Sequence, residues 1–241
     1  MSEPTAFLLA LRASTADLLQ GLAAEQWSDA DVAAPSLCDG WTRGHVLTHL
    51  ARNADGIAAT LAGALRGEVV ERYPDGWDAR NADIDAGAAR PLAELVADVR
   101  DSAERLDRVL GAIADAQAWS RPTEHGHPAA HWVFARWREV EIHRLDLAGD
   151  YGPRRWPAVF VENLLAEAGE TLAERAEVPV RVVVTAEDSL SGEQVGSVWT
   201  AGEGDRVEVT GPDWAVLAWM VGRPSTAGDA LSAAPPLKPW R

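Results

Sequence analysis

The sequence predicts an α+β chain, a helical N-terminal four-helix bundle followed by a smaller α+β region. Three observations carry this. Apolar residues recur at three and four spacings through most of the first 150 residues. A Gly-, Asp- and Asn-rich stretch interrupts them once, at 68–89. Short β-rich runs appear only after Pro153.

The elements follow in order. Over 5–25, Phe7, Leu8, Leu11, Leu18, Leu19 and Leu22 form one stripe, with Thr15 filling its polar step. A loop runs through Pro35, Cys38, Asp39 and Gly40, and Thr42 is a good N-cap for a second helix to about Gly67. Residues 68–89 read as a long crossover. Pro91 opens a third helix to about Gln117, with Leu92, Leu95, Val99, Leu106, Leu110 and Ile113 on its apolar side. Pro128 opens a fourth, ending near Gly149. Four long helices with one long connection suggest a bundle. Beyond them come a helix over 156–177, β-rich runs at 178–186, 195–202 and 205–211, a helix from Pro212 through Met220, and an extended proline-rich tail. The domain boundary is placed between 152 and 153, giving 1–152 as the bundle and 153–241 as the α+β domain.

Composition limits the function. The chain has 241 residues and a formal charge of −15. Residues 151–241 hold 8 Lys+Arg against 13 Asp+Glu, leaving 14 against 24 for residues 1–150, so both halves are acidic. An acidic surface repels a phosphate backbone, and no nucleic-acid partner is expected. No apolar run is long enough to span a membrane, and the N-terminus lacks a basic, signal-like start, so no membrane partner and a cytoplasmic location are expected. Cys38 is the single cysteine, which excludes an internal disulfide and a cysteine-rich zinc site. The 11 tryptophans beside 3 Phe and 2 Tyr are read mainly as packing residues.

One constellation carries chemistry. Glu139 and His143 in the fourth helix are four apart and share a face, whereas Glu141 points elsewhere. His45 and His49 are four apart in the second helix, and facing helices can bring a histidine against the Glu139/His143 pair. Three N/O ligands with an open fourth position describe a catalytic zinc site, although imidazole and carboxylate also suit nickel or iron. Spacing alone fits a surface salt bridge equally well. Glu124, His125 and His127 form a competing loop candidate, and His131 is read as structural.

The stretch from Cys38 to Asp55 (CDGWTRGHVLTHLARNAD) and the block from Arg136 to Leu147 (RWREVEIHRLDL) resemble the two signatures of mycothiol-dependent maleylpyruvate isomerases, within a superfamily of DinB-like metal-binding bundles. Val207–Gly222 is similar to that family's second domain, which has a sterol-carrier-like α+β fold. The resemblance implies that the metal ligands are His49, Glu139 and His143, with His45 left as a first-turn residue near them. Arg136 and Asp146, at helical spacing from His143, are candidates for orienting a ligand or for ordinary helix ion pairs.

The resemblance further implies mycothiol, a low-molecular-weight thiol, as a cofactor beside the metal. A bound cation favours the thiolate, the nucleophilic form. The thiolate adds to the cis double bond of maleylpyruvate, the resulting single bond rotates, and elimination gives fumarylpyruvate. The substrate has two carboxylates. The loop Tyr73–Asn81 resembles the family's arginine-bearing loop and makes Arg80 the first candidate to bind one; Arg223 is the second, with the pocket then expected between the domains. Trp41 and Trp77 are candidate pocket walls, Cys38 is read as a packed loop thiol, and 121–130 is where substrate-specific variation is expected. Rival functions are a mycothiol S-transferase that leaves a thioether on an electrophile, and a non-enzymatic metal-binding regulatory module.

Overall fold

The helical half is held by long amphipathic elements whose caps are written into the chain. A computed structural model describes residues 3–184, 197–224, 231 and 234–240, and the chain divides into two compact units, Met1–Asp150 and Tyr151–Arg241.

In the first unit α1 spans Glu3–Ala24 and buries Leu8, Leu11, Leu18 and Leu22. A one-turn helix, α2, covers Asp29–Val32 in what the sequence reads as loop; Ser28 and Asp31 cap it. The next helix, α3, spans Arg43–Arg66. Thr42 caps its start by accepting from the backbone N–H of His45, and Gly67 ends it at φ 79°, a left-handed conformation that glycine adopts without a Cβ penalty. Two further long helices are α5, Leu92–Asp115, and α6, His131–Asp146. Pro91 is the N-cap of α5 rather than its first turn, and α6 starts a turn after Pro128. The bundle pairs α3 chiefly with α5, and α1 with α6. Each fully buried Leu, Ile or Val in it contributes about 1.5–3 kcal/mol.

The crossover differs from expectation. Within 68–89 the chain forms α4, Gly76–Gly87, of which Ile84 is the buried residue. Its Gly, Asp and Asn content is poor for a helix, and one apolar anchor leaves no periodicity to detect. Docking on α3 supplies what propensity lacks: Gly44 of α3 sits under the end of this segment, where a Cβ would lie 2.0 Å from the Ala88 carbonyl oxygen.

In the second unit the helix expected over 156–177 is two, α7 (Ala158–Glu170) and α8 (Leu172–Arg175). Thr171 separates them, and its hydroxyl donates back to the Ala168 carbonyl at 3.1 Å, a local bond that competes with helix propagation. Strands β1 (Val180–Val184), β2 (Val198–Ala201) and β3 (Val207–Gly211) form a sheet of order β2-β1-β3. The first pair is antiparallel, with Val182 opposite Trp199; β1 and β3 are parallel, with Val182 opposite Val209. The outer parts of the expected β runs, 185–186 and 195–196, lie outside the described residues. Helix α9, Asp213–Met220, starts after Pro212, packs on α7 and buries Ala215, Val216, Leu217 and Ala218. Among the described residues no helix is long and apolar enough to cross a membrane.

Candidate metal centre

The cap that starts α3 also sets its histidines. Thr42 donates through its backbone N–H to His45 Nδ1 at 3.2 Å, and the Thr42 hydroxyl is 2.7 Å from the same nitrogen. His45 Nε2 is 3.6 Å from Asp85. His45 is therefore occupied by the helix start. One turn on, His49 points into the bundle, buried against α6.

There the helical spacing of Glu139 and His143 puts both side chains on the face that meets His49. His49 Nε2 is 2.8 Å from Glu139 Oε2, and His143 Nε2 is 3.2 Å from the same oxygen. The imidazoles meet edge to face with centroids 4.5 Å apart. Donor atoms of the three residues lie within 4.8 Å of one another, close enough to share one ion. The Glu139 side chain stays 25% exposed and that of His143 15%, so the cluster is open to a further ligand.

The electrostatics suit a cation. Burial, with the like charges of His143 and Arg80, lowers the His49 pKa to about 4 against the pull of Glu139, so its ring is neutral at pH 7. Burial opposes the Glu139 carboxylate, but hydrogen bonds from His143 and His49 outweigh it and hold the pKa well below the usual carboxylate value. Burial likewise opposes the charged form of His143, yet Asp146, Cys38 and Glu139 raise its pKa well above the usual value. A cation held by His49, Glu139 and His143 would replace the Nε2 proton of His143, while the Nδ1 proton would stay in its bond to Asp146.

The surroundings hold these rings. His143 Nδ1 donates to Asp146 Oδ2 at 2.9 Å, a carboxylate–histidine pair that fixes the tautomer and turns Nε2 toward Glu139. Asp146 thus orients a ring, whereas Arg136, its sequence-level counterpart, instead ties α6 to α3 through Leu50 O and Asn53 Oδ1. Cys38 is more than a packed thiol: its Sγ donates to Asp146 Oδ2 at 3.1 Å and sits 3.9 Å from His143 Nδ1. The turn that carries it is set by Ser36, which bonds Trp41 O, and by Leu37 N–H, which donates to Asp146 O. Nothing in local sequence signals that this loop folds back on α6.

Arg80 comes from α4. Its Nη2 donates to His49 Nδ1 at 2.5 Å, and the guanidinium lies over Trp41, Tyr73 and Trp77 at 5.7, 5.8 and 5.8 Å. Trp41 also packs on His49 at 5.4 Å. Trp77, 62% exposed, is no core residue; with Tyr73, whose place no local pattern marks, it flanks the arginine. Arg223 lies in the second unit, where its Nη1 donates to Val221 O at 2.9 Å.

The competing candidates are engaged elsewhere. Glu124 accepts from the backbone N–H of Arg72 at 2.8 Å and from its guanidinium, and His127 stacks on His131 at 4.1 Å. Glu141 is buried and accepts from the Ser14 hydroxyl.

Residues 8–148 match the family model described as the mycothiol maleylpyruvate isomerase N-terminal domain. No curated protein sequence matches the chain. Two solved structures resemble it along its whole length, each covering 99% of this chain and 98% of its own with a TM-score of 0.81. One is a mycothiol-dependent maleylpyruvate isomerase at 27% identity, the other a histidine-to-alanine variant of a mycothiol-dependent maleylpyruvate isomerase at 26%.

Proposed function

The chain belongs to the mycothiol maleylpyruvate isomerase N-terminal domain family, and from that premise we propose that it is a mycothiol-dependent isomerase that converts maleylpyruvate to fumarylpyruvate. The observation that carries this is the meeting of two imidazole Nε2 atoms on one carboxylate oxygen, with a guanidinium on the outer nitrogen of one ring.

His49, Glu139 and His143 are the proposed holders of one divalent cation, zinc by its preference for such a donor set. When bound, that cation favours the thiolate of an adjacent thiol at neutral pH. Asp146 keeps one proton of His143 on Nδ1, so Nε2 is the nitrogen that would ligate once its own proton leaves. His49 has a different task. A guanidinium only donates, so the present contact requires His49 Nδ1 to accept and its proton to sit on Nε2. If Nε2 ligates, the proton moves to Nδ1 and the bond from Arg80 is lost. Arg80 then turns its charge to a substrate carboxylate, with Trp41, Tyr73 and Trp77 as its walls. Arg223 is the second proposed carboxylate partner. The thiolate adds to the cis double bond and the electron pair moves onto the conjugated carbonyl as an enolate. The new single bond rotates, and collapse of the enolate re-forms the double bond as trans and expels the thiolate.

The test uses purified, metal-loaded protein with mycothiol and maleylpyruvate. Loss of the cis substrate's absorbance with full recovery of free thiol is expected. A stable thioether seen by mass spectrometry would instead make the protein an S-transferase. No turnover with intact substrate and bound metal would overturn the enzyme assignment.

A further inference from the structure

A second concave feature lies on the first unit, a groove of about 450 Å³ between α1 and α5 with Arg136 of α6 among its lining residues. That volume is within the range of small-molecule sites. Its walls include Leu11, Leu19, Leu106 and Leu110, so an apolar body would lose water on entering.

Its charge is opposite to that of the chain. The sequence carries a net −15, yet the charged lining comprises Arg12, Arg100, Arg108 and Arg136 against Glu104 and Asp107. Arg12 and Asp107 neutralise each other at 2.6 Å. Arg100 and Arg108 form no ion pair among the described residues.

Arg136 is the unusual member. It is 2% exposed, and its two hydrogen bonds both leave from Nη1, to Leu50 O at 2.9 Å and Asn53 Oδ1 at 2.7 Å. Both acceptors are neutral. Among the described residues it forms no ion pair, and Glu139 and Asp55 act on it only from farther away. A guanidinium taken out of water without a carboxylate partner is costly, and an anion from solution would offset that cost.

We propose that this groove binds an amphipathic organic anion, a carboxylate on a short apolar chain. The chain lies along the leucines and the carboxylate meets Arg136, aided by the free arginines. This site is independent of the isomerase assignment and of the metal ligands.

Isothermal titration calorimetry with octanoate and with neutral 1-octanol on the intact, metal-loaded protein tests it. Octanoate is expected to saturate one site and to bind roughly tenfold or more tightly than 1-octanol, the size of effect a charge-assisted pair gives. Ala103→Trp, which fills the groove wall from α5, is expected to abolish both. Arg136→Gln is expected to lose the advantage of the acid over the alcohol and leave the alcohol unchanged. Should Arg136→Gln fail to fold, the wild-type acid–alcohol comparison and Ala103→Trp still decide. Equal binding of acid and alcohol, octanoate binding that survives Ala103→Trp, or no saturable binding would each overturn the proposal. Loss of octanoate binding on chelation alone would place the carboxylate on the metal and overturn it as well.

Discussion

The two units differ most in what they bury. Among the described residues the helical unit buries His49, Asn53, Glu124, Arg136, Glu141, Arg144 and Asp146, whereas Arg175 is the buried charged residue of the α+β unit. Arg175 is there for structure: it donates to the carbonyls of Lys238 and Met220, linking the tail to the end of α9, and burial lowers its pKa. The core of that unit includes Val180, Val182, Val209 and the apolar α9. Buried ionic groups cost desolvation and are weak evidence of stability. Their concentration in the helical unit coincides with the candidate metal cluster, while the α+β unit buries an almost wholly apolar core.

That contrast can be broken by experiment, and the sharpest attempt is on the ligands. His49→Ala and His143→Ala are each expected to remove most of the bound metal and reduce turnover to background, while far-ultraviolet circular dichroism stays helical. His45→Ala, which touches the cap, should keep the metal. Metal retained by His49→Ala and lost by His45→Ala would reverse the assignment.

A cavity in the other unit should do the opposite. Leu217 is fully buried in α9, and Leu217→Ala is expected to cost about 2–5 kcal/mol in denaturant unfolding with metal content unchanged. A loss of metal in that variant would show that the division of labour is not real.

Smaller effects refine the picture. Asp146→Ala removes the acceptor of His143 Nδ1–H and of the Cys38 thiol, and is expected to weaken metal binding roughly 10- to 100-fold, read by competition with a chromophoric chelator. An unchanged affinity would reduce Asp146 to a packing residue.

The mildest prediction concerns acid. All six histidines lie in residues 1–150. Burial, then the charges of His127, Arg138 and Arg72, lowers the pKa of His131 from the ordinary 6.5 to about 4. Below pH 6.5 the unfolded chain therefore takes up a proton that the folded one refuses. Stability should be insensitive to this group above about 6.5, fall as the pH drops toward about 4, and level off below. His131→Gln should flatten part of that slope in denaturation midpoints measured across the window. An identical slope in the variant would mean that His131 does not contribute.

Much of the helical unit was legible because its signals are local. Thr42 and Gly67 mark the ends of α3 through groups one turn away, and Glu139 and His143 share a face by helical geometry alone. The split of the 156–177 segment was not legible, since Thr171 is an ordinary helix residue unless its hydroxyl turns back. Nor was α4, which one buried isoleucine and its docking on α3 support.

The division at the site itself follows the same reasoning. By itself the sequence determined the long helices and the β-rich runs, the acidic charge and the shared face of Glu139 and His143, and family resemblance pointed to His49, because periodicity, composition and motif are properties of neighbouring residues. Only the tertiary structure decided that the Cys38 thiol reaches Asp146 behind His143, that Arg80 lies on His49 Nδ1, and that Arg136 is buried without a counter-charge beside a groove. These contacts join residues 31 to 108 positions apart or depend on what neighbouring helices fail to supply. They arise from how the helices pack, which no local pattern encodes.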